Sequence, residues 1–186
     1  METEKEIAEQ GRTLCRDYIH NRLKRDGVAS KKLGQAPEKF SDTSIEIQRI
    51  GQELEKMYPN LYSEISRQLN TTFSNEATVK SLYTDVAEQL IKNGLTWGKV
   101  VSLFALAGVF AEDCVKQGHA EFVAPLIENF VFFIERNVVY WLVEKGGWTS
   151  LIKSYQPKKD RNLFWFIGGF GALIGFTVTA LVSLGL

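Results

Sequence analysis

Two cysteines, two histidines and four prolines are all that this 186-residue chain holds of those residue types, and its 22 basic and 22 acidic side chains leave no net charge. Cys15 and Cys114 lie far apart with no CxxC pair, so a disulfide framework and the common zinc patterns are both excluded. His20 and His119 lack the i, i+4 partner or mixed ligand cluster that a metal needs. There is no P-loop, no GxSxG elbow and no nucleophile set beside a base, so an enzyme is not expected and no cofactor is implied. Balanced charge without a basic arm removes the electrostatic attraction on which nucleic-acid binding rests. The first residues, METEKEIAEQ, are too polar for a secretory signal, and a reduced, cytosol-facing protein is expected.

Charge is also missing from one end. Residues 163–186, LFWFIGGFGALIGFTVTALVSLGL, carry none, and 16 of those 24 are apolar. As a helix the segment is about 36 Å long against a hydrocarbon core of about 30 Å. Lys153, Lys158, Lys159 and Arg161 come just before it and nothing charged follows, which keeps the preceding body on the cytosolic side. We therefore expect a cytosolic body, residues 1–162, and a C-terminal tail anchor, residues 163–186. A buried core helix with no polar stripe would need a much larger protein around it. Within the anchor, Gly171 and Gly175 form a GxxxG pair that permits close helix packing in lipid. The nearby GGFGALIG has neither the spacing nor the strand of a dinucleotide fingerprint.

Helical periodicity runs through the body and no alternating strand pattern appears, so the class is all-α. A first helix over 2–25 is stopped by Gly27, and a polar loop follows to residue 43. The second helix carries Ile47, Ile50, Leu54 and Met57 and meets Pro59. Next comes an amphipathic stretch with Tyr62, Ile65 and Leu69, then a helix from Val79 to Leu90 broken at Asn93-Gly94. Thr96 is placed to cap a helix whose residues 100–111 are uncharged, too short to span a bilayer and suited to the middle of a bundle. A polar break, EDCVKQGH, leads to one long helix over 121–144, ended by Gly146-Gly147, and a short helix around Trp148, Leu151 and Ile152. Seven to eight amphipathic helices around an apolar helical hairpin make one domain. Acidic pairs such as Glu53 with Glu55 and Glu112 with Asp113 read as solvated surface charge.

Interaction chemistry remains. Gly51 interrupts the apolar series of IEIQRIGQELEKM at a helix-interior cost of about 1 kcal/mol, which suggests another backbone passing close. TWGKVV puts a bulky ring, a small residue and a cation in one helical turn, suited either to a groove for a partner helix or to core packing. WLVEKGGWT reads as a helix stop with two Trp packed across it.

These stretches resemble the Bcl-two family of apoptosis regulators over nearly the whole chain. NGLTWGKVVSLFALAGVFAEDCV is similar to its first homology motif, VVYWLVEKGGWTSLIK to the second, IQRIGQELEKM to the third and LCRDYIHNRLKRDG to the fourth, before a tail anchor. TWGKVVSL, GGWT and the pattern from Glu53 to Leu69 are most similar to the Bok members of the Bax, Bak and Bok effector branch.

The resemblance implies a helical bundle with a hydrophobic groove. It makes Trp97, Gly98, Lys99, Val100, Leu103 and Phe104 the partner-helix groove. Ile47, Ile50, Gly51, Gln52 and Leu54 become the third-motif helix, with Trp141, Gly146, Gly147 and Trp148 at the second-motif helix end. Gln52 stands where the family usually has an Asp that pairs with a groove cation, here Lys99, and Thr43 takes the first apolar anchor position. Implied partners are other family members and their third-motif helices, a lipid membrane and further copies of the chain, with no nucleic acid. The expected function is apoptosis regulation at the outer mitochondrial or endoplasmic reticulum membrane, by an effector that oligomerises and permeabilises. A pro-survival relative that sequesters killer helices is the alternative, and a helical pore-forming toxin the competing class.

Overall fold

The computed structural model describes residues 2–28, 37–58 and 75–154. All of the regular structure among them is helical: α1 (Glu4–Arg25), α2 (Asp42–Met57), α3 (Glu76–Ile91), α4 (Trp97–Lys116), a 3-10 turn (Ala120–Phe122), α5 (Val123–Asn137), α6 (Val139–Lys145) and α7 (Ser150–Ser154). The stretch with Tyr62, Ile65 and Leu69 and the tail with Gly171 and Gly175 lie outside the described residues. Among the described residues no helix is long and apolar enough to cross a membrane.

Local sequence sets the helix starts. Thr3 closes a capping box on α1: its Oγ1 accepts from the Glu6 amide at 3.2 Å while the Glu6 carboxylate accepts from the Thr3 amide at 2.7 Å. Ser41, Asn75 and Thr96 each accept the amide three residues on, opening α2, α3 and α4. The second helix thus begins inside the stretch expected to be loop, because Ser41 supplies the cap. Pro125 falls in the first turn of α5, where its missing N–H is not needed.

At the centre is α4, buried at every residue from Trp97 to Cys114, with α1, α2, α3 and α5 packed around it. Its uncharged run could be surrounded in this way without leaving any charge unpaired. Two expectations are corrected here. The helix continues through the supposed polar break to Lys116, because Glu112 finds Arg22 and Lys116. The single long helix over 121–144 is three pieces, a 3-10 turn, α5 and α6, hinged at Val138 with φ −125° and ψ −27°. There the Asn137 side-chain amide donates to the Phe133 carbonyl at 3.0 Å, competing with the backbone ladder, and the change of direction buries both Val138 and Val139.

Candidate functional site

The helix that the resemblance makes the third motif, α2, is seated inside its own bundle. Ile47, Ile50 and Leu54 are at most 1% exposed, and α2 packs on α1, α4 and α7. Gln52 is half-buried and Thr43 is buried despite its hydroxyl. Gly51 is a close-approach residue, but what approaches is a side chain and not a backbone. A Cβ there would lie 2.6 Å from Tyr18 Cε2 and nearer still to the phenol oxygen. Tyr18 is itself buried and donates its hydroxyl to Glu55 Oε1 at 2.9 Å, so its ring cannot swing away without losing that bond. Gly51→Ala should therefore cost about 1–3 kcal/mol through overpacking, more than the gain in helix propensity of up to about 1 kcal/mol returns. Urea denaturation checks this, and a more stable variant would mean that the Tyr18 ring yields.

Charged groups that the sequence pattern assigned to the surface clamp this seat. Arg22 of α1 pairs with Glu55 of α2, and its Nε donates to Glu112 of α4 at 2.8 Å. Arg25 reaches Glu55 at 2.8 Å and also binds Asp26, while Lys116 holds the other oxygen of Glu112. Burial alone pushes the Arg22 guanidinium down, but Glu55 and Glu112 outweigh it and hold its pKa above the ordinary value. Glu112 is thus buried and Glu55 half-buried, Asp113 is buried next to Glu112, and only Glu53, paired with Arg49 at 2.8 Å, keeps a surface character. The surface reading fails because the pairing cation lies 33 and 90 residues away, where periodicity has no reach.

A second polar contact holds the start of α2. Asp17 of α1 is buried and hydrogen-bonded to Ser44, which also accepts from Gln48 Nε2 at 3.1 Å. Burial raises the Asp17 pKa, with Ser44 and the nearby His20 and Arg16 opposing. Sequence reasoning places Tyr18 on the apolar side of the first helix, where it is buried, but gives no signal of its contact with Gly51; Arg22, Asp17 and Ser44 were missed.

All six residues expected to line a groove come together at the first half of α4, and all are buried. Phe104 packs on Phe130 and Trp148, with ring centroids 4.7 and 5.5 Å apart. The Leu103 carbonyl accepts the Tyr83 hydroxyl at 3.3 Å. Lys99 donates its ammonium to the Gly94 carbonyl at 2.8 Å, and burial lowers its pKa. Of the two readings of TWGKVV, the core-packed one describes the free chain: Gly98 and Lys99 are both buried, and the Lys99 cation closes the α3–α4 turn. At the second-motif end, Gly146 ends α6 in the left-handed region at φ +89°, which favours glycine. The two Trp have separate partners instead of packing across this stop. Trp141 meets Trp97 edge-on at 4.8 Å, and Trp148 donates Nε1 to the Ile7 carbonyl at 2.8 Å.

The family model for Bcl-2 apoptosis regulator proteins matches residues 47–148. The chain is 40% identical over 168 residues to the Bcl-2-related ovarian killer protein homolog B of Danio rerio, covering 88% of this chain and 80% of that one. With the Bcl-2-related ovarian killer protein of Homo sapiens the identity is 35% over 154 residues, covering 81% and 73%. The crystal structure of chicken BOK is similar with a TM-score of 0.75 at 39% identity, over 84% of this chain and 100% of that one. The crystal structure of Trichoplax adhaerens trBcl-2L2 bound to trBak BH3 shares the fold, with a TM-score of 0.69 at 18% identity over 78% and 97%. A helical pore-forming toxin is set aside by these matches. An all-helical bundle around a buried α4, with α2 seated against it, and likeness to Bok proteins over most of the length lead to one assignment: the chain belongs to the Bcl-2 family of apoptosis regulators, as a Bok-like member.

Proposed function

We propose that this chain is a latent effector of apoptosis, tail-anchored through residues 163–186 in the outer mitochondrial or endoplasmic reticulum membrane, whose body, residues 1–162, oligomerises to permeabilise that membrane. The observation that carries the reading is the seat of α2. Its anchors Ile47, Ile50 and Leu54 are wholly inside the bundle, so the face that carries them is closed to a partner until the helix leaves α1 and α4. Latency is then a stored property of the fold, set by burial of three anchors and by the Arg22 and Asp17 contacts. The relatives called killer proteins at 35–40% identity support a pro-apoptotic sign.

Partners in this reading are third-motif helices of other family members, as trBak BH3 is for trBcl-2L2, and further copies of the chain. Trp97, Gly98, Lys99, Val100, Leu103 and Phe104 would receive such a helix only once the first half of α4 is uncovered. Because Lys99 is engaged by the Gly94 carbonyl, an acidic ligand must compete for that cation, and neutral Gln52 asks nothing of it. Trp141, Gly146, Gly147 and Trp148 hold the end of α6 in register with this surface, and Gly171 with Gly175 would pack anchors of neighbouring copies in lipid.

The pro-survival alternative is favoured by one observation, Gln52 in place of the usual Asp, which makes the chain's own third motif a weaker ligand through loss of a charge-assisted bond. Dye release from liposomes separates the two. The full chain should release dye, more so with a third-motif peptide, and deletion of residues 163–186 should remove membrane binding while circular dichroism keeps its helical signature. A chain that releases no dye but blocks release by another effector is pro-survival.

A further inference from the structure

Among the described residues four large apolar side chains are markedly exposed: Ile45 and Met57 on α2, Phe132 on α5 and Tyr140 on α6. Ile45 and Met57 are twelve positions apart on a helix whose outer side also carries the charges of Glu46, Glu53 and Lys56. Phe132, 53% exposed, and Tyr140, 67% exposed, flank the hinge at Val138 and keep different company. The Arg136 guanidinium lies 5.1 Å from the centre of the Phe132 ring, while the Lys145 ammonium lies 5.6 Å from that of the half-buried Trp141. An exposed aromatic ring with a cation laid against it, and an exposed tyrosine eight positions on, combine apolar bodies with polar groups that meet phosphate. That composition matches the headgroup level of a bilayer and not a protein core.

We propose that the α5–α6 corner, through Phe132, Arg136 and Tyr140, is a membrane-surface contact of the folded bundle, resting among the headgroups of the bilayer that holds the tail. This rests on the tail-anchor reading and deepens it. Only eight residues, 155–162, separate α7 from the apolar segment, a tether of at most about 28 Å. A domain of this size has a radius of gyration of about 15 Å, so the tether holds it within about its own width of the lipid surface. The tether raises the local concentration of lipid enough that two exposed rings suffice, where an untethered protein would need a larger patch. Glu135 and Glu144 are exposed nearby and offset the two cations, so the contact does not require anionic lipid.

The test uses the full chain in phosphatidylcholine vesicles, with an environment-sensitive fluorophore on Phe132→Cys or Tyr140→Cys and, as control, on the exposed α1 position Glu4→Cys. The native Cys15 and Cys114 are fully buried and take no label. Nitroxide lipids should quench the two corner positions at least about twofold more than the control, with blue-shifted emission. Quenching equal to the control, with the chain still floating with vesicles, overturns the proposal and leaves the anchor reading standing. A blue shift without lipid quenching assigns the corner to contact between copies and equally overturns it. A chain that does not float refutes the tail-anchor reading, and the proposal falls with it.

Discussion

Arg22→Met should destabilise the bundle by about 3–5 kcal/mol, because it leaves Glu55 and Glu112 in place without the cation they share. The lower end is expected, since Arg25 still reaches Glu55 and Lys116 still reaches Glu112. For a domain of this size that is a drop of roughly 10 °C in Tm, measurable by thermal denaturation. Adding Glu55→Gln and Glu112→Gln should restore much of the loss, because the cost lies in unpaired buried charge and not in a missing contact. Through Asp26, which pairs with Arg22 and Arg25, acid should act in the same direction as the single variant. Burial raises the Asp26 pKa, but Arg25 and Arg22 outweigh it and hold the carboxyl below its ordinary value. A depressed carboxylate contributes stability above its unfolded pKa and loses it as pH falls through the folded one. If the loosened variant also releases liposome dye at lower doses of third-motif peptide, the ion cluster is part of the latch. Wild-type stability in Arg22→Met would show that the cluster does not hold α2.

Leu54→Ala should cost about 2–5 kcal/mol, the range for emptying a fully buried leucine site, and its value within that range reports how far α2 can settle into the space. Ile45→Ala, half-exposed on the same helix, should stay within about ±0.5 kcal/mol and serves as the control. The same residue has a second role under the proposed function. In an isolated peptide of α2, Leu54→Ala should weaken binding to a family groove, since the side chain that anchors the helix inside its own bundle is the one it would offer outside. Calorimetry on the peptide and denaturation of the full chain therefore read one side chain in two seats. Loss in the chain with none in the peptide would mean that Leu54 is a core residue only.

How much was legible follows from the range of each signal. Helix starts depend on one side chain and the amide three residues on, so Thr96 could be read as the cap of α4 from its neighbours alone. The stops at Gly94 and Gly146 depend on backbone freedom at single residues and were equally visible. The hinge at Val138 was not. Its causes are an Asn whose side chain chooses a carbonyl over solvent and two valines buried by turning, and neither interrupts an apolar period. The capping of α2 by Ser41 was passed over because the preceding polar residues read as loop throughout.

By itself the sequence determined the helical class, the order of the helices, the identity of the central one and the anchors Ile47, Ile50 and Leu54, because apolar spacing within a helix decides which side goes inward whatever it packs against. Family membership was legible for the same reason: four short motifs in order are local patterns. Tertiary structure alone decided what those anchors and charges do in the free chain. Gly51 admits a tyrosine ring, Lys99 closes a turn, and Glu112 goes into the interior, each through a partner on another helix. A buried charge is tolerated only where its counter-charge is, and that place is set by how helices cross, which no spacing along one helix records.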